Sequence, residues 1–274
     1  MQKASGTTIG VIHGLIELGK FDQNIQKVEE ISERARSEGV DILVLPSMIN
    51  GIPIFELKKN LRIKRSAETI PGRTTEYLAS IANKYNLYIV PGPILERRGS
   101  KIYRSVVAID PAMNIKAVIS QISTPSGYGQ GSVPPIVFVK DISMGIFIAE
   151  DIHLPELVLL MKFTGINIAL FYSYPYTSLD KIISILKARA IELKVMVVSV
   201  GCTVKRKDEE VLFIPTTIID DNGVVVHEVL DKSVKMIKIT ISNPQNREPI
   251  AMTSAYRKLL KTLRKALTYY AKNV

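Results

Sequence analysis

Twice in this chain a segment of helical period stops at a glycine and runs directly into a strand that is apolar on both faces. In the first case Ile25, Val28, Ile31 and Ala35 lead to Gly39, and Val40-Asp41-Ile42-Leu43-Val44-Leu45-Pro46 follows. In the second, Leu154 to Thr164 ends at Gly165 and continues as Ile166-Asn167-Ile168-Ala169-Leu170-Phe171. Glycine suits the left-handed residue that closes a helix, and near-continuous apolar runs suit strands covered on both sides. The next elements correspond as well: a helix over Thr75 to Tyr85 precedes the strand Leu87-Tyr88-Ile89-Val90, and a helix over Ser178 to Leu193 precedes Val195 to Val200. The pattern predicts two similar α/β halves in one chain.

Shorter alternating strands fill the remaining length, over Ile102 to Ile109, Ile115 to Ile119, Gly145 to Ala149, Val211 to Ile219 and Val224 to Val229. Asp110-Pro111-Ala112-Met113-Asn114 and Asp220-Asp221-Asn222-Gly223 have the chemistry of hairpin turns in matching places. No linker divides the chain, so residues 1–274 are expected to form a single domain. Ser126 to Pro135 reads as one long loop of the functional kind.

At 274 residues with 46% hydrophobic content, the chain is long enough for a substantial core and unlike a disordered protein. No apolar run approaches the ~20 residues needed to cross a bilayer, and the first six residues lack the apolar stretch of a signal peptide. Together with the single cysteine, Cys202, this predicts a cytoplasmic protein without an intrachain disulfide. The formal charge of +10 comes without a nucleic-acid-binding motif and reads as a soluble, charged surface. Ile, Val, Lys and Glu are used heavily and Trp is absent, which points weakly to a thermophilic source.

Four segments, in order, resemble the nitrilase superfamily of carbon–nitrogen hydrolases. Gly39 to Pro46 resembles the strand leading to its catalytic glutamate. Gly145-Ile146-Phe147-Ile148-Ala149-Glu150-Asp151-Ile152-His153-Leu154-Pro155-Glu156 resembles its nucleophile elbow and following helix. Ala188-Arg189-Ala190-Ile191-Glu192 is similar to a helix motif of the second half, and Asp220-Asn222-Gly223 to a late hairpin. The resemblance reaches to about Asp231. It implies a four-layer αββα sandwich with an internal pseudo-twofold repeat, and a dimer stacking two such sandwiches.

Members of that family use a cysteine nucleophile, a glutamate that moves its proton and a lysine that stabilises the oxyanion. Carried over by position, the resemblance places Ser47 where the glutamate belongs, Gln121 where the lysine belongs and Ala149 where the cysteine belongs. Serine is no base near neutral pH unless another group activates it, glutamine has no charge, and alanine has no nucleophile. The loop from Ser123 to Gly131 also lacks the second glutamate that many members carry there. Losing a covalent nucleophile alone costs on the order of 10⁶ in rate in a well-studied hydrolase. No catalytic residue is therefore assigned.

Other groups are weighed against plainer roles. Cys202, the one thiol, reads as a small core or strand-end residue, and Lys116 opens its strand as a solvated side chain. Glu150, Asp151, His153 and Glu156 could bind metal or move protons, but helix capping explains them better, with Asp151 as N-cap and Pro155 in the first turn. No metal or cofactor is expected. Gly127, Gly129 and Gly131 lack the Lys-Ser/Thr of a phosphate loop, whereas Tyr128 borders the pocket mouth in the resemblance and, with Glu150 and His153, is a candidate pocket neighbour.

A last helix is expected over about residues 253–272. Leu259, Leu260, Leu263, Ala266, Leu267 and Tyr270 form its apolar face, opposed by Arg257, Lys258, Lys261, Arg264 and Lys265. That face should dock on its own domain or on a second copy, with binding to nucleic acid or to an anionic membrane surface as the alternative for this helix. Together these features predict a silent homologue, a homodimer whose vacated pocket takes a small polar ligand or serves regulation or scaffolding, with neither membrane nor nucleic acid as partner. Two alternatives stand beside it: a carbon–nitrogen hydrolase using Glu150, Ser47 or Ser123, and a regulatory subunit that meets an active homologue through the basic helix.

Overall fold

A computed structural model describes residues 6–55, 65–132, 134–173, 178–242 and 254–273. The first five residues, residue 133 of the long loop and residue 253 at the expected helix start lie outside that set. In chain order the elements are β1 (Gly6–Glu17), α1 (Phe21–Ser37), β2 (Ile42–Val44), α2 (Arg73–Tyr85), β3 (Tyr88–Val90), β4 (Ile94–Arg98), β5 (Lys101–Ile109), β6 (Ile115–Ser120), β7 (Ile136–Val139) and β8 (Ile142–Ile148). A 310 turn, Ala149–His153, leads to α3 (Pro155–Thr164), β9 (Ile168–Tyr172), α4 (Leu179–Leu193) and β10 (Met196–Ser199). Then come β11 (Cys202–Arg206), β12 (Glu209–Ile214), β13 (Thr216–Ile219), β14 (Val225–Val229), β15 (Lys235–Ser242) and α5 (Ser254–Asn273).

The glycine stops behave as the sequence predicts, since Gly39 and Gly165 take φ of +77° and +76°. Each stop feeds a parallel strand. One sheet runs β12-β11-β1-β2-β3-β5-β4, with β15 added on β1 and β6 on β5; the other runs β14-β13-β10-β9-β8-β7. β1, β2 and β3 are parallel in the first, as are β8, β9 and β10 in the second.

Side-chain alternation then sets the layers. Ile146 and Ile148 of β8, Leu170 and Tyr172 of β9 and Val198 of β10 share one core with the strands of the first sheet. Their neighbours Phe147, Ala169, Phe171 and Val197 turn the other way, onto Leu157, Met161, Leu186 and Ala190 of α3 and α4. Val28 and Ala35 of α1, with Leu78 and Ala82 of α2, cover the first sheet. This is the αββα sandwich that the resemblance implies.

One expected strand needs correction. The run Val211 to Ile219 is two strands in different sheets, β12 on β11 and β13 on β10, broken at Pro215, which has no amide to give a ladder. The expected strand Val195 to Val200 is β10, and just beyond it the chain crosses into the other sheet, entering as β11 within three residues. The last helix meets its own domain near its start, where Tyr256 packs edge to face on Phe163 at 5.3 Å, while Leu259 and Leu263 are about half exposed, at 50% and 46%.

Candidate active site

The segments that follow β2, β6 and β8 carry the three positions singled out in the sequence. Ser47 lies in the turn after β2, 3% exposed, and Gln121 follows β6 and is fully buried. Ala149 stands at the end of β8 with φ of +52°, a left-handed conformation that costs a residue with a Cβ roughly 1–2 kcal/mol. A strained backbone at a strand end re-aims the side chain out of the sheet. The elbow geometry is therefore present, with a methyl group at its tip.

Gln121 has both of its amide donors engaged within the protein. Its amide nitrogen donates to Ser123 O at 2.6 Å and to Glu150 Oε2 at 2.7 Å, and its Oε1 accepts from Arg104 Nη1 at 3.1 Å. The Glu150 contact ties the elbow directly to the end of β6, so the structure joins Gln121 to the residue beside Ala149. Among the described residues no hydrogen bond joins Ser47 to either of them.

Asp151 does a different job from the helix cap expected of it. Leu154 is the N-cap of α3, while the Asp151 carboxylate accepts the amides of Ser123 at 2.7 Å, Ile122 at 3.0 Å and Ile148 at 3.4 Å. The fixed turn of the elbow points this side chain back at the β6 exit and away from α3. Burial pushes its carboxyl up to about 6, with the three amides pulling in the other direction. From the opposite side Arg189 donates two hydrogen bonds to Ile152 O, each 3.0 Å, which explains why the α4 motif accompanies the elbow. His153 ends the 310 turn with its side chain exposed. Among the described residues no group of three His, Cys, Asp or Glu is arranged to hold a metal.

Two residues at this site were not singled out from the sequence. Arg104 is buried on β5, donates to Ile54 O at 2.7 Å as well as to Gln121, and lies 4.2 Å over the ring of Tyr128. The available signal was its register, since Arg104 shares a strand face with Ile102 and Val106, both buried. This guanidinium brings a positive charge beside the position where the family keeps an ammonium. Tyr128 is thereby seated in the loop wall, with Gly129 N donating to Ile102 O and Gly131 N to Gln121 O. Tyr172, opposite Ile148 in the neighbouring strand, is fully buried, and its hydroxyl has no hydrogen-bond partner among the described residues.

Cys202 is no displaced nucleophile. It is 1% exposed in β11, between Gly14 and Ile214, and burial pushes its thiol up to about 12, so thiolate is negligible near neutral pH.

Comparison with known proteins bears on the family and the fold. A family model described as carbon-nitrogen hydrolase matches residues 9–246. The 2-oxoglutaramate amidase of Bacillus subtilis (strain 168) is 30% identical over 213 residues, 74% of this chain and 79% of that protein. Among solved structures, a CN-hydrolase superfamily protein from Xanthomonas campestris with an arsenic adduct in its active site has a TM-score of 0.73 at 16% identity, covering 88% of this chain and 92% of that one. A double mutant of the Nesterenkonia sp. AN1 amidase, glutamate to glutamine and cysteine to alanine, in complex with acrylamide, has a TM-score of 0.73 at 15% identity, covering 90% and 96%.

Proposed function

The chain belongs to the carbon–nitrogen hydrolase family, and from that premise we propose that it is a catalytically silent, single-domain member whose site binds a small amide-like or otherwise polar molecule without cleaving it. The observation that carries the reading is the alanine at the elbow: the scaffold that presents a nucleophile is kept, strain included, and no nucleophile is there. The engaged amide donors of Gln121, neither left for an oxyanion, support it. So does the Nesterenkonia amidase, whose double mutant, with an alanine in place of a cysteine, holds acrylamide. We further propose a cytoplasmic homodimer, on the strength of the family resemblance and the single cysteine; the composition favours a thermophilic source.

The test is a hydrolysis panel of amides, nitriles, carbamoyl compounds and 2-oxoglutaramate, run beside calorimetric titration of the same compounds. Binding without turnover is expected, and the single change Ala149→Cys should restore nothing while Gln121 remains in place. Turnover by the unmodified protein that is lost in Glu150→Gln would overturn the reading. That outcome would establish the second reading, a hydrolase with unusual residues, which the amidase relatives favour and for which Glu150, next to Ala149 and bonded to Gln121, is the candidate carboxylate. A regulatory subunit is the third reading, and co-purification of an active homologue from the native source would support it over both.

A further inference from the structure

The helix α5 has two faces, and among the described residues the basic one makes no ion pair and the apolar one is only partly covered. Its 20 residues carry six cations, Arg257, Lys258, Lys261, Arg264, Lys265 and Lys272, and no acid. At roughly 100° per residue, Tyr256, Leu259, Leu260, Leu263, Ala266, Leu267 and Tyr270 fall on one stripe, and all six cations fall on the opposite side. Among the described residues none of Arg257, Lys258, Lys261, Arg264 and Lys265 enters an ion pair. On the apolar side Leu259 and Leu263 are about half exposed.

We propose that α5 lies flat on an anionic lipid surface, its leucine stripe among the acyl chains and its cations among the head groups, and holds the protein peripherally on a membrane. Both faces find complementary chemistry there at once. A nucleic acid would meet the cations and leave the leucines in water. A second copy would cover the leucines while bringing six more cations alongside. Crossing the bilayer is no part of the proposal, because no helix among the described residues is long and apolar enough for it. This replaces the expectation that a membrane is not a partner, and it is independent of whether the site catalyses.

The experiment is flotation of the full chain with vesicles of phosphatidylcholine alone and of phosphatidylcholine with phosphatidylglycerol, at low and high salt. Association with the anionic vesicles at low salt is expected. It should weaken by about tenfold or more in Leu259→Glu/Leu263→Glu and, separately, in Lys261→Glu/Lys265→Glu. Because these side chains are exposed, the melting temperature should hold in both variants. Equal binding to neutral vesicles, or full binding by the leucine variant, would overturn the proposal. So would sedimentation in which the leucine variant alone falls to a smaller species, assigning the stripe to a second copy, or duplex RNA bound equally by the parent and the leucine variant while vesicles are not bound.

Discussion

In the first half of the molecule Thr8 N donates to Asp41 Oδ2 at 2.9 Å and Asp41 N donates back to Thr8 O at 2.8 Å; in the second, Ser143 N donates to Asn167 Oδ1 and Asn167 N to Ser143 O, both at 2.8 Å. Two residues further on, Gly10 and Gly145 play the same part. A Cβ there would lie 3.2 Å from Val40 in one half and 2.8 Å from Ile166 in the other, the residues that enter the next strand. The turns match too: Asp110 N reaches Asn114 O while Asp110 Oδ1 takes the Asn114 amide, and Asp220 and Val224 repeat both bonds.

That register sets Ile148 against His13, Ala149 against Gly14 and Asp151 against Ile16. There the copies part. β1 runs on through Gly14 and pairs with β11, whereas β8 stops at Ile148 and turns at the strained Ala149. The repeat thus holds the frame, and the site lies where the repeat is broken.

If Asp151 enforces that break, Asp151→Ala should be the most damaging single change outside the deep core. It would strand the amides of Ile122, Ser123 and Ile148 near the protein interior, and leaving buried donors unpaired at about 1–3 kcal/mol each predicts a loss of about 4 kcal/mol in urea unfolding. A loss below about 1 kcal/mol would mean that the elbow is held by the strand and by Arg189 instead.

The next test sets His13, on the half that runs on, against Asp151, on the half that turns. His13 is fully buried, with Nδ1 3.0 Å from Thr216 Oγ1, and burial lowers its pKa to about 4, with Asp231 opposing and Lys235 assisting. The unfolded chain takes up this proton near pH 6.5 and the folded chain only near 4, so His13 makes stability fall as pH drops across that window, by up to about 3 kcal/mol. Asp151 acts in the opposite sense: the folded chain takes its proton near 6 and the unfolded chain near 3.8, so its contribution rises on acidification by a similar amount. Relative to the parent, His13→Ile should therefore gain stability between pH 6.5 and 4, and Asp151→Asn should lose it. Parallel pH profiles for all three proteins would show that neither group titrates differently on folding.

How much of this was legible follows from what a sequence pattern encodes. Gly39, Gly165 and the two Asp turns state a local backbone requirement, so the repeat and its helix ends could be read directly. Ala149 and Gln121 were legible through the family resemblance, because both sit at fixed distances from strand ends. Arg104 was hidden, since alternation says which face a residue takes but not that a glutamine and a tyrosine wait opposite it. Asp151 misled for the same reason: a carboxylate near a helix start resembles a cap until the fold brings the β6 exit within 2.7 Å of it. The crossing from β10 to β11 left no mark because both strands are buried, and apolar residues suit either sheet.

The smallest test concerns the two turns, which share their closing bonds but place different residues at the left-handed position. Gly223 and Met113 occupy the same place, with φ of +79° and +68°. Glycine adopts that conformation freely, while an L side chain is strained there. Gly223→Ala should cost about 1–2 kcal/mol, the left-handed strain being joined by a new Cβ 2.8 Å from Ile191 Cδ1, a contact that a rotation of the isoleucine can ease. Met113→Gly should do the reverse on a smaller scale. It releases a similar strain but frees the unfolded chain by roughly 0.5–1 kcal/mol, so a gain of about 0.5 kcal/mol is expected in chemical denaturation. A loss greater than about 1 kcal/mol would mean that the half-exposed Met113 side chain contributes packing the second turn lacks, and that the two halves diverge here as well as at the elbow.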